Sequence, residues 1–314
     1  MTPAPGRGMM PAMHPVLFTF PDWLPLLGGH HIYAYGVMLG IAFVSGWYLG
    51  VKLSLREGLS YRTVNNAYLV VVVCSLVGAR VAHLISNPGT WRFSTGFLPA
   101  LFSSRCEGLV AYGGYIGGIL GAWAYLRLKK SSVWNLLDTT TPSMVLGLGF
   151  TRIGCFLAGC CHGQPSDLPW AVVFPPGSQA SHNFPGAAGA SLPVHPTQLY
   201  ESLLGFALFP LALWLHRRRK FTGQSFLIMV VCYAVARFLL EFIRGDDDRG
   251  GLGNHAAPWL STSQIIGLVL IPLAVGLYLW RRRLAVAPPQ PLSREQIHKR
   301  LVAEGVLKEK AGRT

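Results

Sequence analysis

Charged residues are scarce in this sequence of 314 residues: Asp, Glu, Lys and Arg together make up 13% of it, whereas 51% is hydrophobic. In an ordinary soluble domain about a quarter of the residues are charged. A soluble protein with so few charges would struggle to cover its surface, but a surface that faces lipid needs none. The composition therefore argues against a soluble protein and predicts an all-α integral membrane protein.

Acidic residues are especially few, with 13 Asp and Glu against 27 Lys and Arg, which gives a net charge of +14. In a soluble protein such an excess would indicate nucleic-acid binding. Here the basic residues cluster just beyond apolar runs, for example at Arg127–Lys130, His216–Lys220 and Arg281–Arg283. That placement is typical of cytoplasmic anchoring by the positive-inside rule. We therefore predict a membrane lipid environment and no nucleic-acid partner.

The N-terminus also lacks the basic-then-apolar order of a cleaved signal peptide. A membrane-spanning helix needs about 20 mostly apolar residues, and about seven segments of the sequence qualify. These predicted spans are Ile32–Val51, Ala67–Ile85, Leu109–Leu126, Pro142–Cys161, Leu199–Leu215, Ser225–Ile243 and Thr262–Trp280.

Lys and Arg are absent from the long connection 162–198, and every second loop is poor in them. This alternation predicts an N-terminus outside and a C-terminus in the cytoplasm. We expect an outer N-terminal segment at 1–31, a membrane domain at 32–283 and a cytoplasmic tail at 284–314. The connection 162–198 is functional or disordered, since loops of this length rarely serve only as linkers. The stretch Asn87–Cys106 is too short to span and is expected to lie in the interface or to dip into the membrane.

Charged side chains at membrane depth are costly and by default mark functional sites. Arg152 lies inside the fourth predicted span, and Arg237 and Glu241 lie four residues apart on one face of the sixth. Arg80 is near the end of the second span. Guanidinium groups that converge on an interior pocket would bind phosphate. The alternatives are that the arginines only pin helices together, that Arg237 is neutralised by Glu241, and that Arg80 reaches the interface.

Cysteine and histidine are the remaining reactive side chains. Cys155, Cys160, Cys161 and His162 are bunched at the end of the fourth span, but a structural zinc site usually needs a second paired half-site. We therefore predict no metal site, and a disulfide from Cys106 to Cys160 or Cys161 is the competing interpretation. The run Asp246–Asp248 is interpreted as a solvated turn.

Several motifs, taken together and in this order, resemble the bacterial prolipoprotein diacylglyceryl transferase family. They are Ala34–Gly36 (AYG), Gly78–Arg80 (GAR), Gly113–Gly118 (GGYIGG), Arg152–Gly163 (RIGCFLAGCCHG), His195–Glu201 (HPTQLYE), Tyr233–Arg244 (YAVARFLLEFIR) and Ser261–Ile265 (STSQI). HPTQLYE followed by a helix with Arg-x3-Glu is specific in combination.

The resemblance implies an enzyme of the bacterial inner membrane, with a periplasmic N-terminus. It would transfer the diacylglyceryl group of phosphatidylglycerol to the lipobox cysteine in the signal peptide of a prolipoprotein, without a cofactor. The implied catalytic residues are Arg237, Glu241, Tyr233, His195 and Tyr112. The implied substrate-binding residues are Arg152, Tyr35, Arg80, Gly113, Gly114, Gly163, Gln198, Tyr200 and Glu201.

Two departures from the family pattern concern polar residues. Family members usually have His-Gly-Gly in the third span, where this chain has Tyr112, and a tyrosine has a much higher reference pKa than a histidine. In the family motif R-x-G-N-F-x-N-G-E, the two asparagines and the glutamate are replaced by Cys155, Ala158 and Cys160. Two other interpretations follow: a transferase with a different lipid donor or thiol acceptor, and a non-catalytic lipid-binding or redox-sensing membrane protein.

Overall fold

The computed structural model describes residues 15–21, 23, 29, 31–87, 110–245 and 260–308. These residues form a short hairpin and a set of helices. The elements are β1 (Val16–Thr19), β2 (His31–Tyr33), α1 (Ala34–Arg56), α2 (Tyr61–Ser86), α3 (Ala111–Leu128), α4 (Val133–Ala158), α5 (Gln179–Asn183), α6 (Thr197–Arg218), α7 (Gln224–Leu240), α8 (Thr262–Leu284) and α9 (Arg294–Ala303). The antiparallel strands β1 and β2 lead directly into α1.

Six helices in the described part of the chain are long and apolar enough to cross a membrane, which confirms the predicted all-α membrane protein. They are α1, α2, α4, α6, α7 with the turn that follows it, and α8. The third predicted span coincides with α3, which has 18 residues but is not among the six. Five glycines and Arg127 dilute its apolar side chains. The seventh crossing therefore stays a prediction.

Two compact units divide the chain: unit 1 comprises residues 1–50 and 140–288, and unit 2 comprises residues 51–139 and 289–314. In unit 2, α2 and α3 pack with their backbones in contact. A Cβ on Gly78 would collide with the carbonyl oxygen of Gly113 and would lie 3.0 Å from Gly117 Cα. Glycines on both helices thus allow the close approach that small residues permit in membranes.

The C-terminal segment of unit 2 is ordered against the turn between α1 and α2. Leu292 N–H donates to Arg56 O at 2.6 Å, Arg300 Nη1 donates to Gly58 O at 2.7 Å, and Ser60 Oγ donates to Glu304 Oε2 at 3.1 Å. The segment predicted as a cytoplasmic tail therefore contains α9 and is attached to its own unit at several points.

In unit 1, α4, α6 and α7 share a core of buried apolar side chains, formed by Val145, Leu208, Ala212 and Met229. The connection after α4 has a smaller core of its own, with Val172, Phe174, Ala180 and Val194 packed against Phe156 of α4. The long connection at 162–198 is therefore folded and anchored to the end of α4, which argues against the disordered alternative.

The fourth predicted span, Pro142–Cys161, is displaced in the structure. Helix α4 begins at Val133 and continues through Pro142 to Ala158. Asp138 and Thr139 are fully buried, and Thr139 Oγ1 lies 2.8 Å from Ser54 Oγ. A hydropathy scale assigns such polar residues to a loop outside the span. Here they are buried inside the protein, where Thr139 is hydrogen-bonded. The helix ends at Gly159, whose φ of 71° is left-handed.

Because α2 packs closely on α3, replacing a glycine at their contact should affect stability far more than replacing a glycine that has no close neighbour. Gly78→Ala should destabilise the protein by about 1–3 kcal/mol, because the added methyl group meets backbone atoms that cannot yield. Gly276→Ala in α8 is the matched control, since nothing lies within 4 Å of its Cβ position. Melting temperatures in detergent measure both. Equal melting temperatures for the two variants would contradict this packing.

Candidate active site

Two glycines bring α4 and α6 into backbone contact in unit 1. A Cβ on Gly205 would lie 2.7 Å from Gly149 N and 2.9 Å from Val145 O. Ser202 Oγ adds a hydrogen bond of 2.9 Å to Gly149 O. Arg152 follows Gly149 by almost one turn of α4, and Glu201 precedes Gly205 by one turn of α6. The crossing therefore places these two charged side chains against each other.

Glu201 is the centre of a group of charged side chains. Its side chain is 1% exposed and pairs with Arg152 through Oε2. Its Oε1 accepts from Arg237 Nη1 at 2.7 Å and lies 3.4 Å from Arg244 Nη1. Because a buried carboxylate is costly unless it is paired, the three guanidinium groups converge on it.

Arg237 connects three helices through its guanidinium. Besides Glu201 of α6, it pairs with Glu241 through Nη2 at 2.8 Å, and the same nitrogen donates to Ser263 Oγ of α8 at 3.3 Å. The predicted pairing of Arg237 with Glu241 is present, but it is not the whole interaction, since Arg237 also contacts Glu201. We call Arg152, Arg237, Arg244, Glu201 and Glu241 the arginine cluster.

The arginine cluster has a surplus of positive charge. Three guanidinium groups and two carboxylates leave one positive charge among these five side chains. The side chains of Arg152 and Arg237 are 17% and 15% exposed, so both are mostly shielded from water but not sealed off. A guanidinium has five N–H donors in a planar fork that matches phosphate oxygens. The arrangement is suited to binding a phosphate group.

Arg244 is held by a junction of three chain segments at Gly163. Gly163 N–H donates to His195 O at 2.9 Å, and Gly245 N–H donates to His162 O at 3.1 Å. A Cβ on Gly163 would lie 2.5 Å from His195 Cβ and 2.9 Å from Ile243 O. The predicted site glycine Gly163 thus has a clear structural role, because a side chain there would displace the backbone next to Arg244.

Three cysteines adjoin the arginine cluster. The Sγ atoms of Cys155, Cys160 and Cys161 all lie within 4.8 Å of one another, and Arg152 Nη1 is 4.0 Å from Cys155 Sγ. The pKa of Cys161, which lies beyond the end of α4, is lowered because the thiols of Cys155 and Cys160 hydrogen-bond to it; Arg244 and Arg152 lower it further. All three are free thiols. Cys106, the partner in the alternative disulfide interpretation, lies outside the described residues.

Other predicted residues border this region in unit 1. Tyr35 of α1 lies against α4, since a Cβ on Gly154 would be 3.2 Å from its Cδ2. Tyr233 is one turn before Arg237 on α7 and packs against the core of unit 1. Gln198 Nε2 donates to Cys160 O at 2.8 Å, and no described residue donates to its buried Oε1. Gln198 thus fixes the backbone that follows α4.

His195 and Tyr200 form a separate pair at the start of α6. His195 Nδ1 is 3.3 Å from Tyr200 OH, and Trp170 Nε1 donates to the same hydroxyl at 2.7 Å. Among the described residues, no recorded hydrogen bond connects the His195 ring to the arginine cluster. The backbone of His195 is therefore hydrogen-bonded to Gly163, whereas its ring is oriented towards Tyr200.

The remaining predicted residues belong to unit 2. Arg80 is partly buried on α2, and Tyr112 is 43% exposed at the start of α3. Gly113 contacts Gly78 and Ala82 of α2, and a Cβ on Gly114 would be 3.4 Å from Ser75 O. Both glycines serve helix packing, and the substrate-binding role expected for them stays a prediction. The run Asp246–Asp248 and the stretch 88–106 lie outside the described residues.

Comparison with known proteins identifies the family. The model of the prolipoprotein diacylglyceryl transferase family matches residues 21–280. The chain belongs to the prolipoprotein diacylglyceryl transferase family. It is 34% identical over 266 residues to the phosphatidylglycerol–prolipoprotein diacylglyceryl transferase of Clostridium tetani, covering 85% of this chain and 97% of the relative. The transferase of Solidesulfovibrio magneticus is 33% identical over 291 residues, covering 88% of this chain and 100% of the relative.

Membership of the prolipoprotein diacylglyceryl transferase family confirms the resemblance found in the sequence. The transferase of Bordetella avium is likewise 34% identical over 269 residues, covering 82% of this chain and 97% of the relative. Matches of this extent apply to nearly the whole length of the relatives.

Sequence reasoning missed two contributors to the site of this family member. Arg244 was seen only as the last residue of the motif Tyr233–Arg244, yet it approaches Glu201. Ser263, inside the motif Ser261–Ile265, contacts Arg237. The signal for Arg244 was its position three residues after Glu241, immediately beyond the helix, where a short turn can bring its side chain back to the same region.

The shared role of Glu201 predicts a large effect of removing its charge. Glu201→Gln keeps the shape of the side chain but leaves three guanidinium groups without their common carboxylate. Breaking a buried ion pair by changing one partner costs about 3–5 kcal/mol, so we expect a clear loss of thermal stability in detergent.

The matched control for Glu201→Gln is Glu295→Gln. Glu295 pairs with Lys299 at 2.7 Å, but its side chain is 76% exposed, and surface pairs contribute little. The melting temperature of Glu295→Gln should therefore stay close to that of the parent. If Glu201→Gln behaved like this control, Glu201 would not hold the arginines together.

Proposed function

We propose that this chain is a phosphatidylglycerol–prolipoprotein diacylglyceryl transferase. It moves the diacylglyceryl group of phosphatidylglycerol to the lipobox cysteine thiol of a prolipoprotein and so acts in lipoprotein biosynthesis. The relatives that carry this name match the chain over nearly their whole length. The single structural observation in favour is the convergence of Arg152, Arg237 and Arg244 on the buried Glu201.

The arginine cluster binds the phosphate of the lipid donor in this proposal. Arg152 and Arg237 donate to the phosphate oxygens through the N–H groups that do not face carboxylates. The one surplus positive charge of the arginine cluster offsets the negative charge of the phosphate diester. Glu201 and Glu241 hold the guanidinium groups in place beforehand, so little reorganisation is needed when the lipid binds. Fixed donors aimed at a developing charge are usually the largest contribution to catalysis.

The reaction is a substitution at carbon. The acceptor thiolate attacks the carbon of the diacylglyceryl group that is bonded to the phosphate oxygen. A carbon–sulfur bond forms, and the bond between this carbon and the phosphate oxygen breaks. The electron pair of that bond leaves with glycerol phosphate, whose new negative charge lies beside Arg152 and Arg237. The thiol proton passes to a base before or during the attack, since the thiolate is the nucleophile.

His195 and Tyr112 are the proposed proton-transfer residues. His195 is hydrogen-bonded to Tyr200, and this pair lies next to Gly163, whose neighbouring segment positions Arg244. Tyr112 occupies the position at which family members usually have a histidine. Tyr233 belongs to the proposed catalytic set, with Arg237 and Glu241. The proposed substrate-binding set further includes Tyr35, Arg80, Gly113, Gly114 and Gln198.

The protein spans the membrane several times, and we place it in the bacterial inner membrane. The basic clusters after α1, α3, α6 and α8 face the cytoplasm, and the folded connection 162–198 faces the periplasm. In this orientation the arginine cluster, near the end of α4 and the start of α6, lies towards the periplasmic side. There it would meet the lipobox cysteine of an exported precursor.

Arg152→Ala should lower transfer of labelled diacylglyceryl from phosphatidylglycerol to a lipobox peptide by at least about 100-fold, because loss of one aimed donor typically costs that much. Arg152→Lys should recover only part of the rate, since an ammonium group cannot form the guanidinium fork. Purified protein in detergent with an excess of donor lipid is the assay mixture.

The control for Arg152→Ala is Arg282→Ala. Arg282 is an exposed arginine in the last turn of α8, and its removal changes the net charge by the same amount. Its transfer rate should equal that of the parent. Full activity of Arg152→Ala, in protein with a normal melting temperature, would refute the phosphate-binding role.

A further inference from the structure

The three cysteines next to the arginine cluster form a compact group of sulfur atoms. Cys155 is 6% exposed on the last turns of α4, and Cys160 and Cys161 follow the helix end. All three Sγ atoms lie within 4.8 Å of one another. A zinc–sulfur bond is about 2.3 Å long, so three sulfurs around one ion are separated by about 3.8–4.0 Å. Only small side-chain movements are needed to reach that spacing.

The backbone around these sulfur atoms is fixed by specific contacts. Gly159 and Cys161 both have left-handed conformations, with φ of 71° and 61°, and these turn the chain back towards Cys155. A non-glycine residue in this conformation costs about 1–3 kcal/mol and persists only where the surroundings impose it. Thr197 Oγ1 donates to Cys161 O at 2.8 Å, and Cys161 N–H donates to Gln179 Oε1 at 3.4 Å.

The donor set and the local charge both favour a soft cation. Thiolate sulfur selects ions such as Zn²⁺ and Cu⁺ over Mg²⁺ and Ca²⁺. Three thiolates around a divalent ion carry one negative charge, which matches the one surplus positive charge of the arginine cluster. Arg152 Nη1 is already 4.0 Å from Cys155 Sγ. We propose that Cys155, Cys160 and Cys161 form a binding site for a soft metal ion of the zinc class.

The fourth coordination position is open to a ligand from outside the chain. The three cysteines are the whole group of metal-ligand side chains at this place among the described residues. His162 does not join them, because its Nδ1 donates to Gly163 O at 3.0 Å and its Nε2 accepts from Asn183 Nδ2 at 3.3 Å. Catalytic zinc sites have three protein ligands and an open position, whereas structural sites have four.

A thiolate fits this open position. If the proposed transferase function holds, on which this step rests, the occupant is the acceptor cysteine of the prolipoprotein. Metal coordination deprotonates a thiol, so the ion would supply the nucleophile beside the arginines that bind the donor phosphate. The site differs from the sequence-based prediction of no metal, which considered only spacing along the chain and did not anticipate the fold-back of Cys160 and Cys161.

Cadmium titration tests the metal site independently of activity. We use protein with Cys74→Ser, Cys106→Ser and Cys232→Ser, purified in detergent with a phosphine reductant, so that only the three cysteines of the site remain. Cd²⁺ should produce a sulfur-to-cadmium absorption band that saturates at one ion per chain, and Zn²⁺ should displace it. Adding Cys155→Ser or Cys161→Ser should weaken Cd²⁺ binding more than about 100-fold, which exceeds the loss typical of changing a residue that only hydrogen-bonds to a metal ligand.

A second measurement uses the parent protein, so it still tests the site if a cysteine variant fails to fold. Zn²⁺ should slow alkylation of Cys155, Cys160 and Cys161 by iodoacetamide in the folded parent, as followed by mass spectrometry, and should leave Cys74 and Cys232 unaffected. Absence of a saturable band with all three thiols reduced, or unchanged Cd²⁺ affinity in Cys155→Ser, would overturn the proposed metal site. Equal alkylation rates with and without Zn²⁺ would overturn it as well.

The open position has its own test. A lipobox peptide with its cysteine should intensify the cadmium band, whereas the same peptide with serine should not. An unchanged band intensity on addition of the cysteine peptide would refute thiol binding at the metal. Loss of diacylglyceryl transfer with an intact metal band would instead count against the proposed function, so the two failures are distinguishable.

Discussion

A single buried carboxylate determines the arrangement of charge in unit 1. Glu201 is almost fully shielded from water, yet it stays compatible with the membrane interior because three guanidinium groups approach it. Each arginine comes from a different segment, namely α4, α7 and the turn after α7. Because a buried carboxylate is costly unless it is paired, Glu201 determines where the three guanidinium groups lie. The one positive charge left over in the arginine cluster suits an anionic ligand.

The small residues and the folded connection make this arrangement attainable. Gly149 and Gly205 let α4 and α6 approach until Arg152 meets Glu201, and Gly163 admits the segment that carries Arg244. The connection after α4, which is held by its own apolar core, fixes the start of α6 relative to the end of α4. A long loop without Lys or Arg is thus part of the structure that shapes the site.

Much of the fold was predictable because the bilayer imposes length and hydropathy on its helices. All seven predicted spans were found as helices, and six of these helices are long and apolar enough to cross a membrane. The bounds predicted for α4 were displaced, because hydropathy assigns buried polar residues such as Asp138 to a loop. Arg152, Arg237 and Glu241 were predictable from the cost of charge at membrane depth. The central role of Glu201 was not, since it depends on which helices cross, and neither was the convergence of Cys155, Cys160 and Cys161, which depends on two left-handed residues.

If the arginine cluster binds the phosphate of the donor lipid, its arginines should determine the equilibrium affinity of purified protein for a short-chain phosphatidylglycerol. Titration calorimetry in detergent should show that Arg237→Ala lowers the affinity more than about tenfold, since a charge-assisted phosphate contact contributes about 1.5–3 kcal/mol. The combined variant Arg152→Ala and Arg237→Ala should show no measurable binding. Parent-like affinity in the combined variant, with its fold intact, would show that the arginine cluster does not bind the donor phosphate.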